Sequence, residues 1–225
     1  MAISLASAST EYGHNTNAGS LPTNAVTMGA WVYFTSLPAP SSYPFCLGLY
    51  GDANNGVAFS QGSTAKFRFH THVAATFKSL ITTTAVSTAT WYYMVGGRSG
   101  ANYFFDVFSA SGTLVEQLTG TDQTTGDFNW GANVHMDLGI ASDHTASHDG
   151  RLRNAWTMNS YDTSTAANWA RALANNPVLR GPGTFTHFYP LMDLDDARDM
   201  VGGNALTMVN TPTTGDDPPT LPKRY

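Results

Sequence analysis

Trp91-Tyr92-Tyr93-Met94-Val95, Tyr103-Phe104-Phe105-Asp106-Val107-Phe108 and Thr113 to Leu118 are three extended runs separated by Arg98-Ser99-Gly100-Ala101 and by Ser111-Gly112. Aromatic and β-branched side chains suit a pleated, half-buried surface, and glycine-bearing turns let the chain double back between them. The stretch from Thr90 to Leu118 therefore predicts a three-stranded antiparallel meander.

The same pattern extends outward on both sides. Val26 to Phe34 carries apolar groups at odd and even positions alike, as a central strand covered on both faces requires, and Pro38 and Pro40 end it. Cys46 to Tyr50 and Val57 to Ser60 flank the turn-forming Gly51-Asp52-Ala53-Asn54-Asn55-Gly56, and Lys66 to His72 continues the sheet. Val134, Met136, Leu138 and Ile140 alternate with His135, Asp137 and Gly139, so one face there is core and the other polar. Phe185 to Met192 and Ala205 to Val209 read as the last strands.

One segment departs from this period. Asp162, Thr163 and Ser164 are N-cap candidates before an Ala-rich run that Asn175-Asn176-Pro177 stops, which predicts a short helix near residues 163–175 held by Trp169 and Leu173. From Thr211 the Pro-rich sequence reads as an extended tail. The expectation is an all-β, antiparallel two-sheet jelly-roll sandwich over residues 1–210 with one short helix, followed by a tail over 211–225.

Composition narrows the function classes. The chain has 225 residues, enough to bury roughly 70 to 75 % of its extended surface without covalent staples. Cys46 is its one cysteine and lies in an apolar run, so an intramolecular disulfide is excluded and a buried thiol is expected. Only 12 % of residues are charged, the net charge is −5 and no basic cluster occurs. Such a surface cannot neutralise a phosphate backbone, so nucleic acid is not an expected partner. Neither a signal-peptide pattern nor a membrane-spanning apolar run is present, which predicts synthesis in the cytosol and no membrane insertion.

The order of these pieces resembles the laminin G-like branch of the concanavalin A-like lectin/glucanase superfamily. The resemblance rests on Thr27-Met28-Gly29-Ala30-Trp31-Val32-Tyr33, on the meander with its Ser111-Gly112 turn, and on Asp149-Gly150-Arg151-Leu152-Arg153-Asn154-Ala155-Trp156 before the helix. Phe188-Tyr189-Pro190-Leu191 with Asp199 to Thr207 is similar to a closing repeat of bacterial and phage members. Arg153 stands where the family often has an acidic residue, so no metal role transfers to it.

The resemblance implies either a glycan-cleaving or a binding role. Cleavage on this fold requires closely spaced carboxylates, whereas this chain has two glutamates, Glu11 and Glu116, far apart in sequence, and the cluster Asp193, Asp195, Asp196 and Asp199 reads as a solvated loop. No catalytic residue is expected. His70 and His72 share one face of a strand but lack further zinc ligands, and read as polar residues on a solvent-facing strand. Calcium is the more plausible ion, with Asp52, Asn54 and Asn55 as one oxygen set and Asp143 with Asp149 as another. The candidate ligand-binding residues are accordingly Asp52, Asn54, Asn55, Trp130, Asp143, His144, His148 and Asp149, with Trp130 able either to stack on a sugar or to cap the sandwich.

Two roles follow. The first is a virion-associated structural or decoration protein of a bacteriophage, exposed on the particle surface and docked on capsid or other virion proteins. The alternative is an extracellular lectin-like carbohydrate-binding module, calcium-assisted, that recognises host-surface glycans. Either is compatible with a homo-oligomer.

Overall fold

The computed structural model describes residues 1–16, 19, 21, 23–37, 45–52, 55–62, 65–121, 126–131, 134–140, 147–159, 185–191 and 197–218. Fifteen strands occur among them: β1 (Ala2–Leu5), β2 (Tyr12–Asn15), β3 (Ala25–Phe34), β4 (Phe45–Asp52), β5 (Asn55–Gln61), β6 (Lys66–Val73), β7 (Thr76–Ala85), β8 (Trp91–Ser99), β9 (Asn102–Ser109), β10 (Leu114–Thr121), β11 (His135–Leu138), β12 (Gly150–Met158), β13 (Phe185–Tyr189), β14 (Thr207–Val209) and β15 (Thr213–Gly215). They form two antiparallel sheets. One has the order β10-β9-β8-β3-β12-β1-β15, with β13 also on β12; the other runs β14-β2-β11-β4-β5-β6-β7. The helix expected at 163–175 lies outside the described residues.

The meander is β8-β9-β10, with Gly100 and Gly112 at positive φ in its two turns. β3 sits between β8 and β12, and its double-sided apolar pattern has the predicted cause. Val26, Met28, Ala30, Val32 and Phe34 enter the core between the sheets, while Trp31 joins a second cluster on the outward side. Between the sheets, Phe59 and Phe69 of one face Phe105 of the other at ring separations of 5.6 and 6.0 Å. Gly96 makes room for them, since a Cβ there would stand 2.8 Å from the Phe69 ring.

Both ends of the described chain cross between the sheets side by side. β1 continues through a 3-10 turn (Ser7–Ser9) into β2, and β14 pairs β2 while β15 pairs β1. The Asn210 amide donates to the Ser9 and Thr10 carbonyls at this corner. The segment read as a tail from Thr211 thus contributes an edge strand. Three residues suffice for it, and Pro212 precedes the strand where no ladder donor is needed. At the opposite side, the Glu116 carboxylate of β10 accepts from the Thr83 and Thr84 amides of β7, tying the two sheet edges together. No helix among the described residues is long and apolar enough to cross a membrane.

Candidate functional site

The outward side of the seven-stranded sheet gathers polar and aromatic side chains that the strand register places in rows. One row runs Phe77, His72, Gly56, Tyr50 and His135 across β7, β6, β5, β4 and β11. The next runs Ser79, His70, Ala58, Gly48, Asp137 and His14 from β7 to β2. Four of the chain's seven histidines, His14, His70, His72 and His135, therefore share this face. Their alternation partners Phe67, Phe69, Val73, Met136 and Leu138 point into the core.

At one end of the face Phe77 is 46 % exposed, on a strand that forms the sheet's edge. The Arg68 guanidinium lies 5.2 Å from its ring centre, and Arg68 Nε donates to Ser60 Oγ at 3.0 Å, which fixes the fork in place. The His72 ring is 5.9 Å from Phe77. His70 is buried instead of solvent-facing, because Phe45 and Phe77 close over it at 4.9 Å each. Burial, with Arg68 and His72 adding to it, holds its pKa well below the usual histidine range, so it stays neutral.

In the middle, the Tyr50 ring lies down on the sheet over Gly48 and Gly56; a Cβ on either glycine would come within 2.5 Å of it. Beyond it, buried Asp137 has His14 Nδ1 at 2.5 Å from Oδ1 and His135 Nε2 at 3.5 Å from Oδ2. The result is a shallow strip with an open aromatic ring, a fixed guanidinium and imidazole edges. Such a surface can stack on an apolar ring face and hydrogen-bond its substituents; among its described side chains Asp137 is the one carboxylate. Both glutamates act elsewhere on backbone amides, Glu116 at the sheet edge and Glu11 on the Ala6 amide.

Of the residues singled out in the sequence, those that are described, Asn55, Trp130, His148 and Asp149, fall into two separate groups. Asn55 and Trp130 meet at one end of the sandwich, where Asn55 Oδ1 accepts from the Asn129 amide at 3.1 Å and the Trp130 backbone packs on Gly51. His148 and Asp149 sit at the other end, beside the start of β4, since Ser147 bridges Phe45. The length of β4, about 23 Å at some 3.3 Å per residue, separates the two groups.

Trp130 is buried and stacks on Phe128 at 4.4 Å, so it caps the sandwich and offers no platform. The alternation Phe128, Asn129, Trp130 is itself the signal of inward rings, although no strand forms there. His148 is buried too, with Nε2 3.0 Å from the Tyr33 carbonyl and its ring edge-on to Phe34. Burial pushes its pKa down to about 4 against the pull of the Tyr33 carbonyl and Asp149. Asn55, also buried, serves as a backbone acceptor.

Asp149 accepts from Ser36 Oγ. Asn54, Asp143, His144 and the side chain of Asp52 lie outside the described residues, so of the three carboxylates proposed for calcium only that of Asp149 is described. Among the described residues no group of three or more His, Cys, Asp or Glu could hold a metal ion. Cys46 is buried, and burial pushes its thiol pKa up. Asp199, read as solvated, is buried and accepts from His187 Nδ1 at 2.7 Å and from the Phe188 and Val201 amides, which hold its carboxyl below the usual range.

No protein-family model matches the sequence, and no curated protein matches it. Solved structures share the fold. A candidate carbohydrate-binding protein from Bacteroides ovatus superposes with a TM-score of 0.62 at 12 % identity, covering 99 % of this chain and 63 % of its own. The enzymatically active domain of tailspike protein 2 of bacteriophage CBA120 gives 0.59 at 9 % identity, over 79 % of this chain and 28 % of the tailspike chain. Mouse laminin α1 domains LG4-5 give 0.54 at 9 %, over 71 % of this chain and 42 % of the laminin chain. The chain thus spans less than half of the tailspike and laminin chains. Its fold is the concanavalin A-like, laminin G-like sandwich.

Proposed function

We propose that this chain is a non-catalytic saccharide-binding module whose contact surface is the outward face of the seven-stranded sheet around Phe77. The observation that carries the reading is an aromatic ring left 46 % exposed on an open sheet face, with Arg68 and His72 placed beside it. A pyranose presents an apolar face that stacks on such a ring and hydroxyls that take hydrogen bonds from guanidinium and imidazole groups. The likeness to a candidate carbohydrate-binding protein agrees with this.

Calorimetric titration with the best hits of a glycan array tests it. Phe77→Ala should weaken binding at least 10-fold, while the thermal midpoint stays within a few degrees. An array without hits, or an unchanged affinity in the variant, would remove the reading.

A virion location is a second reading, favoured by the low-charge surface and by the likeness to a phage tailspike domain. In it the module sits on a particle, held by other virion proteins, and offers this face to a host-surface glycan. Proteomics of purified particles should then contain the chain, and its absence would discard the location without touching the binding face.

A further inference from the structure

We infer that two copies of this chain pair through the free edge of β7, continuing the seven-stranded sheet across a two-fold axis at Ser79. β7 (Thr76–Ala85) ends that sheet. A strand edge is a row of backbone donors and acceptors open to another strand, and proteins keep such edges short, bulged or charged. The other described edge strands follow that rule: β14 and β15 have three residues each, β13 has five, and β10 carries Glu116 and a register shift. β7 departs from it, with ten residues, no Asp or Glu, and two exposed apolar side chains, Phe77 and Ile81.

The register names the occupant. Ala74 and Ala75, both at positive φ, form the two-residue turn between β6 and β7. In a hairpin closed this way Val73 and Thr76 exchange both backbone hydrogen bonds, and every second pair after them does the same. The N–H and C=O groups of Thr76, Lys78 and Leu80 therefore face β6, and those of Phe77, Ser79 and Ile81 face away from the sheet. Among the described residues no strand takes up these outward groups. Thr83, next in the series, keeps the phase, since its amide donates across the edge to Glu116. With the Thr84 amide also on Glu116, the edge is closed from there on. The open stretch is residues 76–82, and Ser79 is its centre. An antiparallel copy centred on Ser79 sets Phe77 against Ile81 of the second copy, Ser79 against Ser79, and Ile81 against Phe77. In that register every outward backbone group of the three residues finds a partner, and the two exposed side chains form aromatic and β-branched cross-strand pairs. Lys78, the one charged residue of β7, alternates onto the inward side with Leu80, which packs on the core. The pairing extends the sheet in its own plane, leaves its outward side open and does not rest on the saccharide reading.

The test is sedimentation velocity of the full chain from about 5 to about 500 µM. The parent should pass from monomer to dimer with a Kd on the order of 100 µM, because the open stretch is far smaller than the roughly 20 to 30 residues a side of a standard interface. Ser79→Pro removes the central outward amide and no donor to β6, so it should raise the Kd at least about 10-fold with the thermal midpoint within a few degrees. Ser79→Lys sets two ammonium groups face to face and should do the same, with part of the loss recovered at high salt. Ser79→Cys should crosslink two chains under mild oxidation, since directly opposed Cα atoms about 5.5 Å apart suit a disulfide. Buried Cys46 does not compete. Thr83→Cys, on the same strand but off the axis, should not crosslink. A chain that stays monomeric to about 500 µM overturns the pairing and leaves the edge to a foreign strand. A dimer as strong in Ser79→Pro and Ser79→Lys as in the parent, or Thr83→Cys crosslinking as readily as Ser79→Cys, overturns it too.

Discussion

On the eight-stranded sheet the outward side chains Trp31, Trp91, Tyr93, Val95, Phe104, Phe108, Trp156, Met158 and Phe188 form a second apolar cluster, none more than 8 % exposed. On the seven-stranded sheet the outward Phe77 and Ile81 stand 46 and 48 % exposed. Both faces are aromatic, so aromatic content does not separate core from contact surface. Glycine across the strand pair is one local device that buries a ring. Trp156 pairs with Gly29, Phe104 with Gly97 and Tyr50 with Gly56, and in each case a Cβ on the glycine would collide with the ring. A ring opposite glycine lies down on the sheet and is buried. Phe77 is opposite His72, leans over His70 and stays 46 % exposed.

Trp156→Ala is the strongest way to break this contrast. The indole is buried, and its Nε1 donates to the Tyr93 hydroxyl at 2.9 Å. Its loss should cost about 3 to 5 kcal/mol from cavity formation, read from denaturant midpoints. A cost under about 1 kcal/mol would mean that the outward cluster is no core.

A second effect runs the other way. Asp106 lies on the same covered face, opposite Val95 and Gln117, and neither carboxylate oxygen has a hydrogen bond of normal geometry. Burial raises its pKa to about 6, with the Gln117 side chain pulling weakly in the other direction. The folded state therefore holds this proton more tightly than the unfolded chain. Between about pH 4 and pH 6 stability falls as pH rises, and the full penalty stands above pH 6. Asp106→Asn removes the charge, so it should stabilise by about 2 kcal/mol at pH 7, below the roughly 3 kcal/mol that such a shift implies because the amide is itself polar. The gain should vanish below about pH 4. A variant less stable than the parent at pH 7 would show that the covered face solvates its carboxylate.

The fold was legible where local pattern decides it. The meander, the double-sided β3 and the alternation from Val134 to Ile140 follow from period and turn residues alone. The proposed binding face was not legible, because it is made by register between distant strands. His14 and Asp137 are 123 residues apart and meet only because β2 pairs β11. Polar residues clustered in sequence misled for a related reason. Asn55 and His148 are good turn or ligand residues by type, and each is buried at an end of the sandwich, whereas Trp130 takes the capping role that was one of its two readings. Strands flank the stretch Gly51 to Gly56 as read, but the glycines of Cys46 to Gly56 also carried an unread message, that Tyr50 lies flat between them.

The smallest effect sharpens the contrast most, because it uses one chemistry on both faces. Ile81→Thr and Val95→Thr each replace an outward, β-branched apolar side chain by one with a hydroxyl and keep the strand preference. Ile81 is half exposed opposite Arg68 on an edge strand, so its hydroxyl finds water and the change should stay within about 0.5 kcal/mol. Val95 is buried among Tyr93, Phe104 and Trp156, where a hydroxyl must be desolvated, at a cost of about 1 to 3 kcal/mol. Denaturant midpoints of the two variants give the difference directly. Equal costs would mean that the face around Phe77 is covered to the same degree, and a saccharide could not reach the ring on which the proposed site is built.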